Sequence, residues 1–353
     1  MTVFHPRCGS SLVLLSVCLL SALGCSSSST TPPLTKSADR PATSEEQVSV
    51  QLLLNWFPEA EHGGYYAALV HGEFAKEGLD VTIVPGGPKA PVISQVASGG
   101  AVFGVDNADK LLLGRVQEAD VVAVFAPIQT SPRCILVHEE SGIKTFDDLA
   151  AAKNFTLAMN PGQPFAQFLN KKYPMEGVQK VPYPGNLSQF LLDKRFGQQA
   201  YSFSEPFAAR QAGAQTRNLM LADIGFNSYT SLLVVSRDTL TKQPELVRKI
   251  VAASSRGWER YLKNAAETNA HIHKENPEMS PEILAFGVEA LQPLCTMNDN
   301  APFGSMTEAR WSDLITQMTD AGSLTGAELD AKAAFTNDAL PARSANDASL
   351  PPK

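Results

Sequence analysis

From Val48 onward, short apolar runs of β character alternate with stretches whose apolar residues recur at helical spacing. That alternation is expected of a parallel-type sheet with covering helices. Val48 to Leu54, Val81 to Val84, Val102 to Val105, Val121 to Ala126 and Cys134 to Val137 read as strands. Between them the pattern predicts helices from Gly63 to about Glu77, from the Pro85-Gly86-Gly87-Pro88 turn to Ser98, and from Asp106-Asn107 through Leu113. A second unit begins near Ser141. There Thr145-Phe146-Asp147-Asp148 has the form of a capping box, in which side chain and backbone satisfy each other at a helix start. The runs Phe155 to Met159, Gln179 to Val181, Ala200 to Phe203 and Leu219 to Ala222 continue the strand series. After a last strand, Tyr229 to Ser236, the period changes to that of helices. Val247, Ile250, Val251, Ser254, Trp258 and Tyr261 share one face behind Pro244, and Ser280-Pro281 and Thr307 mark two further helix starts.

No fixed-period repeat is present, and a chain of this length suits one large or two medium domains. The expected organisation is α/β with two lobes: residues 48–138 and 226–343 form a discontinuous first lobe, and residues 139–225 an inserted second one. The chain would cross near Pro132 to Glu140 and again near Gly225 to Tyr229, and two crossings make a hinge.

The segment before Val48 changes this picture only in location. Arg7 precedes an apolar run, Leu12 to Leu23, of about a dozen residues, too short to span a bilayer, and Ala22-Leu23-Gly24-Cys25 follows. This has the form of a secretory leader, residues 1–24, ending at a lipidation cysteine, Cys25. Residues 25–47 are rich in Ser, Thr and Pro and hold almost no large apolar side chain, so they read as a tether; residues 344–353 read as an unordered tail. The folded part is then expected outside the cytoplasmic membrane. Net charge is -7, with 29 Lys and Arg against 36 Asp and Glu, which disfavours nucleic acid as a partner. Of the five cysteines, Cys8 and Cys18 leave with the leader and Cys25 carries lipid; Cys134 and Cys295 remain, as one disulfide or two free thiols. No Cys/His cluster has metal-ligand spacing, and His271-x-His273 points to two helix faces, so no metal or other cofactor is expected.

The candidate chemistry gathers in Asn55-Trp56-Phe57-Pro58-Glu59-Ala60-Glu61-His62-Gly63-Gly64-Tyr65-Tyr66. This segment leaves the carboxyl end of the first strand and enters a helix, where open α/β sheets bind ligands and where helix amides receive oxygen. Trp56, Phe57 and Tyr65 with two carboxylates suit a flat neutral or cationic ring, since such ligands are held by stacking and a few polar groups aimed at the ring edge.

The same residues carry a family resemblance. Leu54-Asn55-Trp56-Phe57-Pro58, Tyr65-Tyr66-Ala67-Ala68-Leu69, Gly72-Glu73-Phe74, Glu77-Gly78-Leu79-Asp80-Val81, Pro85-Gly86-Gly87, Val96-Ala97-Ser98-Gly99, Phe103-Gly104-Val105, Ser141-Gly142-Ile143 and Phe203-Ser204-Glu205-Pro206 occur in order across about Val48 to Tyr261. In this the chain resembles the periplasmic pyrimidine- and sulfonate-binding proteins, a family that also contains the fungal thiamine-pyrimidine synthases. The resemblance implies the type II periplasmic-binding fold and a monomer that delivers a small molecule to the permease and ATPase subunits of an ABC importer. It implies that Trp56 is a stacking wall, that Asp106 and Asn107 face the cleft from a helix start, that Gly162 and Gln163 do so from the opposing lobe, and that Glu205 accepts ring amino or imide hydrogens. His62 and Tyr229 complete the candidate contacts. A pyrimidine precursor of thiamine is the leading ligand, with a flavin or a sulfonate such as taurine as alternatives. The enzymatic alternative is a synthase that consumes His62; against it stand the absence of a cysteine-rich iron motif and the leader.

Overall fold

The computed structural model describes residues 47–296, 301–326 and 328–342. The expected leader, Cys25, the tether up to Glu46 and the tail lie outside the described residues. Ten strands are described: β1 Val48–Leu53, β2 Leu79–Val84, β3 Phe103–Asp106, β4 Val121–Phe125, β5 Arg133–His138, β6 Phe155–Ala158, β7 Val178–Val181, β8 Phe196–Tyr201, β9 Thr216–Met220 and β10 Leu232–Ser236. They form two five-stranded sheets, ordered β2-β1-β3-β10-β4 and β7-β6-β8-β5-β9. Helices cover them: α1 Gly63–Val70, α2 Glu73–Lys76, α3 Val92–Ala97, α4 Ala108–Val116, α5 Phe146–Ala151, α6 Pro164–Lys172, α7 Ser188–Leu192, α8 Glu205–Gln211, α9 Arg237–Lys242, α10 Pro244–Lys263, α11 Ala266–Glu275, α12 Pro281–Leu291 and α13 Glu308–Asp320.

The sheets are mixed rather than parallel. β10 runs antiparallel to both β3 and β4, and β5 antiparallel to both β8 and β9. These are the strands that follow the two passages between sheets, 126–132 and 221–231. A strand that comes from the other sheet carries no βαβ crossover to fix its direction, so the parallel rule does not bind it. β5 therefore belongs to the second sheet, whereas the sequence pattern left it at the end of the first lobe. The apolar run Cys134 to Val137 reads alike in either sheet.

Local signals are realised as expected. Thr145 Oγ1 accepts from the Asp148 amide at 3.1 Å while Asp148 returns a bond to the Thr145 amide at 2.9 Å, closing the capping box. Ser280 and Thr307 cap α12 and α13. The expected helix from Gly63 to Glu77 is instead two, because Gly72 takes φ of 70° and ends the first.

α1 packs on α10 through a close approach that only glycine permits. A Cβ on Gly64 would lie 2.0 Å from the Trp258 ring, and one on Gly63 2.0 Å from Tyr261. The α10 stripe read from sequence, Val247 to Tyr261, is buried along this contact and joins β1, α11 and α12 in one apolar cluster. A second cluster runs from Leu111 and Val234 through Tyr229, Trp311 and Met318 to Phe165 and Leu169, so the two sheets share a core along one side. Cys134 and Cys295 are buried free thiols.

Candidate functional site

After β1 the chain is held close to the β2–α3 turn: Gly86 N donates to Trp56 O at 3.0 Å, and Gly86 has no room for a side chain because a Cβ would lie 2.0 Å from Leu54 O. This fixes Trp56 and Phe57, whose rings meet edge to face at 5.5 Å. Phe57 is 48% exposed, and neither ring belongs to a buried cluster. The chain then turns inward, and Glu59, Glu61 and His62 are buried. His62 Nε2 lies 2.9 Å from Asn55 Oδ1 and 3.2 Å from Glu61 Oε1, while its Nδ1 and Glu61 Oε2 have no partner among the described residues.

The end of β3 adds a second set. Asp106 Oδ1 accepts from the Asn107 amide at 2.9 Å; Asn107 Oδ1 accepts from Ser231 N at 3.2 Å. Asp109, in the first turn of α4, accepts from Ser228 Oγ on one oxygen and has no partner among the described residues on the other. From the second sheet come Arg133, Tyr183, Tyr201 and Glu205. Asn107 Nδ2 donates to Tyr201 OH at 3.2 Å, a bond between the two sheets' residues, and Arg133 Nη2 donates to the same hydroxyl at 2.8 Å. Glu205 accepts from Tyr183 OH at 3.2 Å and from Tyr201 N at 2.9 Å.

Five carboxyl groups thus act on one another across this region, Glu61 and Asp109 also act on the Arg133 guanidinium, and their protonation reflects it. Burial, reinforced by Glu61 and Glu205, holds the Glu59 carboxyl well above its ordinary range. Burial raises Glu205 as well, against the bonds it accepts. Asp106 is pushed up to about 7 by burial, with Asp109 and Glu61 adding to the effect and the Asn107 amide opposing it. Burial works to lower the Arg133 pKa, but Tyr201, Asp109 and Glu61 together raise it. Such a gathering of perturbed, buried ionisable groups marks a candidate functional site.

Of the residues expected from sequence, His62, Asp106, Asn107 and Glu205 lie in this network, and Trp56 and Phe57 lie on the loop that leads into it. Gly162 is exposed in the β6–α6 loop, where Gln163 precedes the helix without capping it. Tyr65 and Tyr229 are committed elsewhere. Tyr65 is fully buried, donates to Ser231 O at 2.7 Å and stands edge-on to Trp258. Tyr229 lies in the shared core, its hydroxyl accepting from Thr307 N at 3.0 Å and its ring 3.7 Å from the Arg310 guanidinium. Among the described residues no group of three metal-ligating side chains is found.

The NMT1/THI5 like family model matches residues 59–268, more than half of the chain. The chain belongs to the NMT1/THI5 like family. Within it, the riboflavin-binding protein RibY of Chloroflexus aurantiacus is 26% identical over 94% of this chain and 97% of its own length. The formylaminopyrimidine-binding protein of Halalkalibacterium halodurans is 25% identical over 76% of this chain and 83% of its own. The aliphatic sulphonate binding protein SsuA of Escherichia coli superposes with a TM-score of 0.62 at 14% identity, covering 86% of this chain and 98% of that one. The fold is therefore that of the periplasmic binding proteins, and both of these relatives are named as binding proteins.

Sequence reading quoted Glu59 and Glu61 but did not single them out, and it missed Asp109, Arg133, Tyr183, Tyr201 and Ser231. The one local signal for Arg133 was a cation opening a strand just after a proline crossing. Nothing in the sequence ties it to Tyr201, 68 positions away.

Proposed function

We propose that this protein is the extracytoplasmic solute-binding component of an ABC importer, and that its solute is a flat, amino-bearing nitrogen heterocycle of the kind that supplies the pyrimidine of thiamine. One observation carries this reading: the exposed Phe57 ring and its partner Trp56 lie on the loop that leads to buried carboxylates, of which Glu61 Oε2 and Asp109 Oδ2 have no donor among the described residues. A stacked ring with amino or protonated ring nitrogens supplies donors for such acceptors. An anionic sulfonate carries acceptors only and supplies no donor to these oxygens, and the likeness to SsuA extends to the fold alone. The formylaminopyrimidine-binding relative supports the pyrimidine assignment. Riboflavin is the second reading, favoured by RibY, which this chain matches over nearly its whole length; the ribityl hydroxyls would supply the donors there.

Native mass spectrometry of the purified protein, reading the mass of a co-purifying ligand, separates the two. Trp56→Ala should weaken binding of that ligand by about tenfold or more, since stacking on an aromatic side chain contributes on the order of 1 to 3 kcal/mol. Unchanged affinity by calorimetric titration would remove Trp56 from the site.

The proposal includes an acyl anchor at Cys25, supported by the leader and the Ser/Thr/Pro tether, and permease and ATPase partners in the membrane. Metabolic labelling with a fatty-acid analogue should mark the wild-type protein and leave Cys25→Ala unlabelled. Label on both would rule the anchor out.

A further inference from the structure

Arg133 opens β5 immediately after the first passage between sheets. Its guanidinium lies 4.5 Å from the centre of the Phe165 ring and 5.0 Å from that of Tyr201, a sandwich of two aromatic faces that fixes its plane. Of its five N–H donors, the described residues supply an acceptor for one nitrogen only, the Tyr201 hydroxyl. It forms no ion pair among them, although Asp109 and Glu61 act on it electrostatically. Across from it, on the first sheet's side, Glu61 and Asp109 are each 1% exposed and each keeps one oxygen without a donor. The Tyr201 hydroxyl accepts from both Arg133 and Asn107, which occupies its two lone pairs and turns its own proton outward as a further donor. The site thus sets a rigid donor fork on one wall opposite paired acceptors on the other.

Building on the reading of the cleft as a heterocycle site, we infer that Arg133 is its specificity-determining residue. Arg133 selects ligands that present a carbonyl oxygen beside an N–H, the guanidinium donating to the oxygen while Glu61 and Asp109 accept from the nitrogen. Simple amines satisfy the acceptors and leave the fork unpaired. Carboxylates and sulfonates satisfy the fork and meet the acid cluster. A formylamino group or the imide edge of a flavin satisfies both walls, and a buried polar group left unpaired is heavily penalised. Two chemical sources share this edge, and matched compounds distinguish them.

The full-length protein is titrated calorimetrically with a formylaminopyrimidine and its deformylated amine, and with riboflavin and its N3-methyl derivative. In the pair that contains the solute, the member with the intact carbonyl and N–H edge should bind at least about tenfold more tightly than its mate. Arg133→Met should weaken the formylaminopyrimidine by about tenfold or more and leave its deformylated amine unchanged, or, where riboflavin is the solute, weaken both flavins, since the N3-methyl derivative keeps its carbonyl oxygens. Arg133→Lys retains the charge but not the planar fork, and should give most of the same loss. Should Arg133→Met not fold, as judged by thermal unfolding, the lysine variant carries the same comparison. A wild type without preference, variants that weaken the formylaminopyrimidine and its amine equally, or variants that leave riboflavin binding unchanged when it is the solute would overturn the role of Arg133 while leaving the heterocycle reading in place. Failure of all four compounds to bind would overturn both.

Discussion

Raising the pH from 5 to 8 should lower the stability of the ligand-free protein by roughly 3 kcal/mol, from the linkage of folding to the protonation of Asp106. The ordinary value for this carboxyl is 3.8, and in the fold it is pushed up to about 7 by burial, with help from Asp109 and Glu61 and against the Asn107 amide and Lys110. Between those two values the folded protein keeps a proton that the unfolded chain has released. Folding then binds protons, so stability falls as pH rises through the window and levels off above about 7. Glu59 and Glu205, both raised, act in the same direction. Glu73 acts oppositely: burial alone would raise it, but its bonds from Lys76 and Arg256 prevail, and its contribution is lost only as pH falls below the usual carboxylate range. Urea unfolding at a series of pH values measures the slope, and Asp106→Asn should flatten it. A stability profile that is level or rises from pH 5 to 7 would show that the cleft carboxyls ionise as in water.

The second large effect contrasts two tryptophans. Trp258→Ala should destabilise the fold by about 3 to 5 kcal/mol, the range for emptying a buried aromatic site. Trp258 is fully buried, stands edge-on to Tyr65 at 5.9 Å and to Tyr261 at 6.1 Å, and faces the Gly64 backbone of α1. Trp56→Ala, removing a half-buried ring outside every buried cluster, should change the unfolding midpoint far less while weakening the ligand. Denaturant midpoints of the two variants decide the matter, and a larger loss at Trp56 would exchange the roles of core and site.

The two tryptophans also divide what is legible from what is not. The α10 stripe that buries Trp258 is a 3.6-residue period, and the loop that carries Trp56 sits at a strand's carboxyl end; both are patterns within a few neighbouring residues. The same holds for the Thr145–Asp148 box and the Ser280 and Thr307 caps, where side chain and amide are at most three positions apart. Two α/β units, most strands to within a few residues, and an aromatic and acidic first loop thus follow from the sequence by itself. β8 was the poorest of the strands, since Gly197, Gln198 and Gln199 carry no apolar signal, yet they pair with β5 and β6 in mid-sheet. A strand's period does not name its neighbours, so the placement of β5 and the antiparallel sense of β5 and β10 came only with the fold. Tertiary structure alone also decided the site's chemistry. It turned Tyr65 and Tyr229 into the interior, and it brought Arg133 and Tyr201 to Asn107, and Ser228 to Asp109 119 positions away. Those meetings depend on two chain passages that set the two sheets against a shared core, and no local propensity encodes where long-range passages bring side chains together.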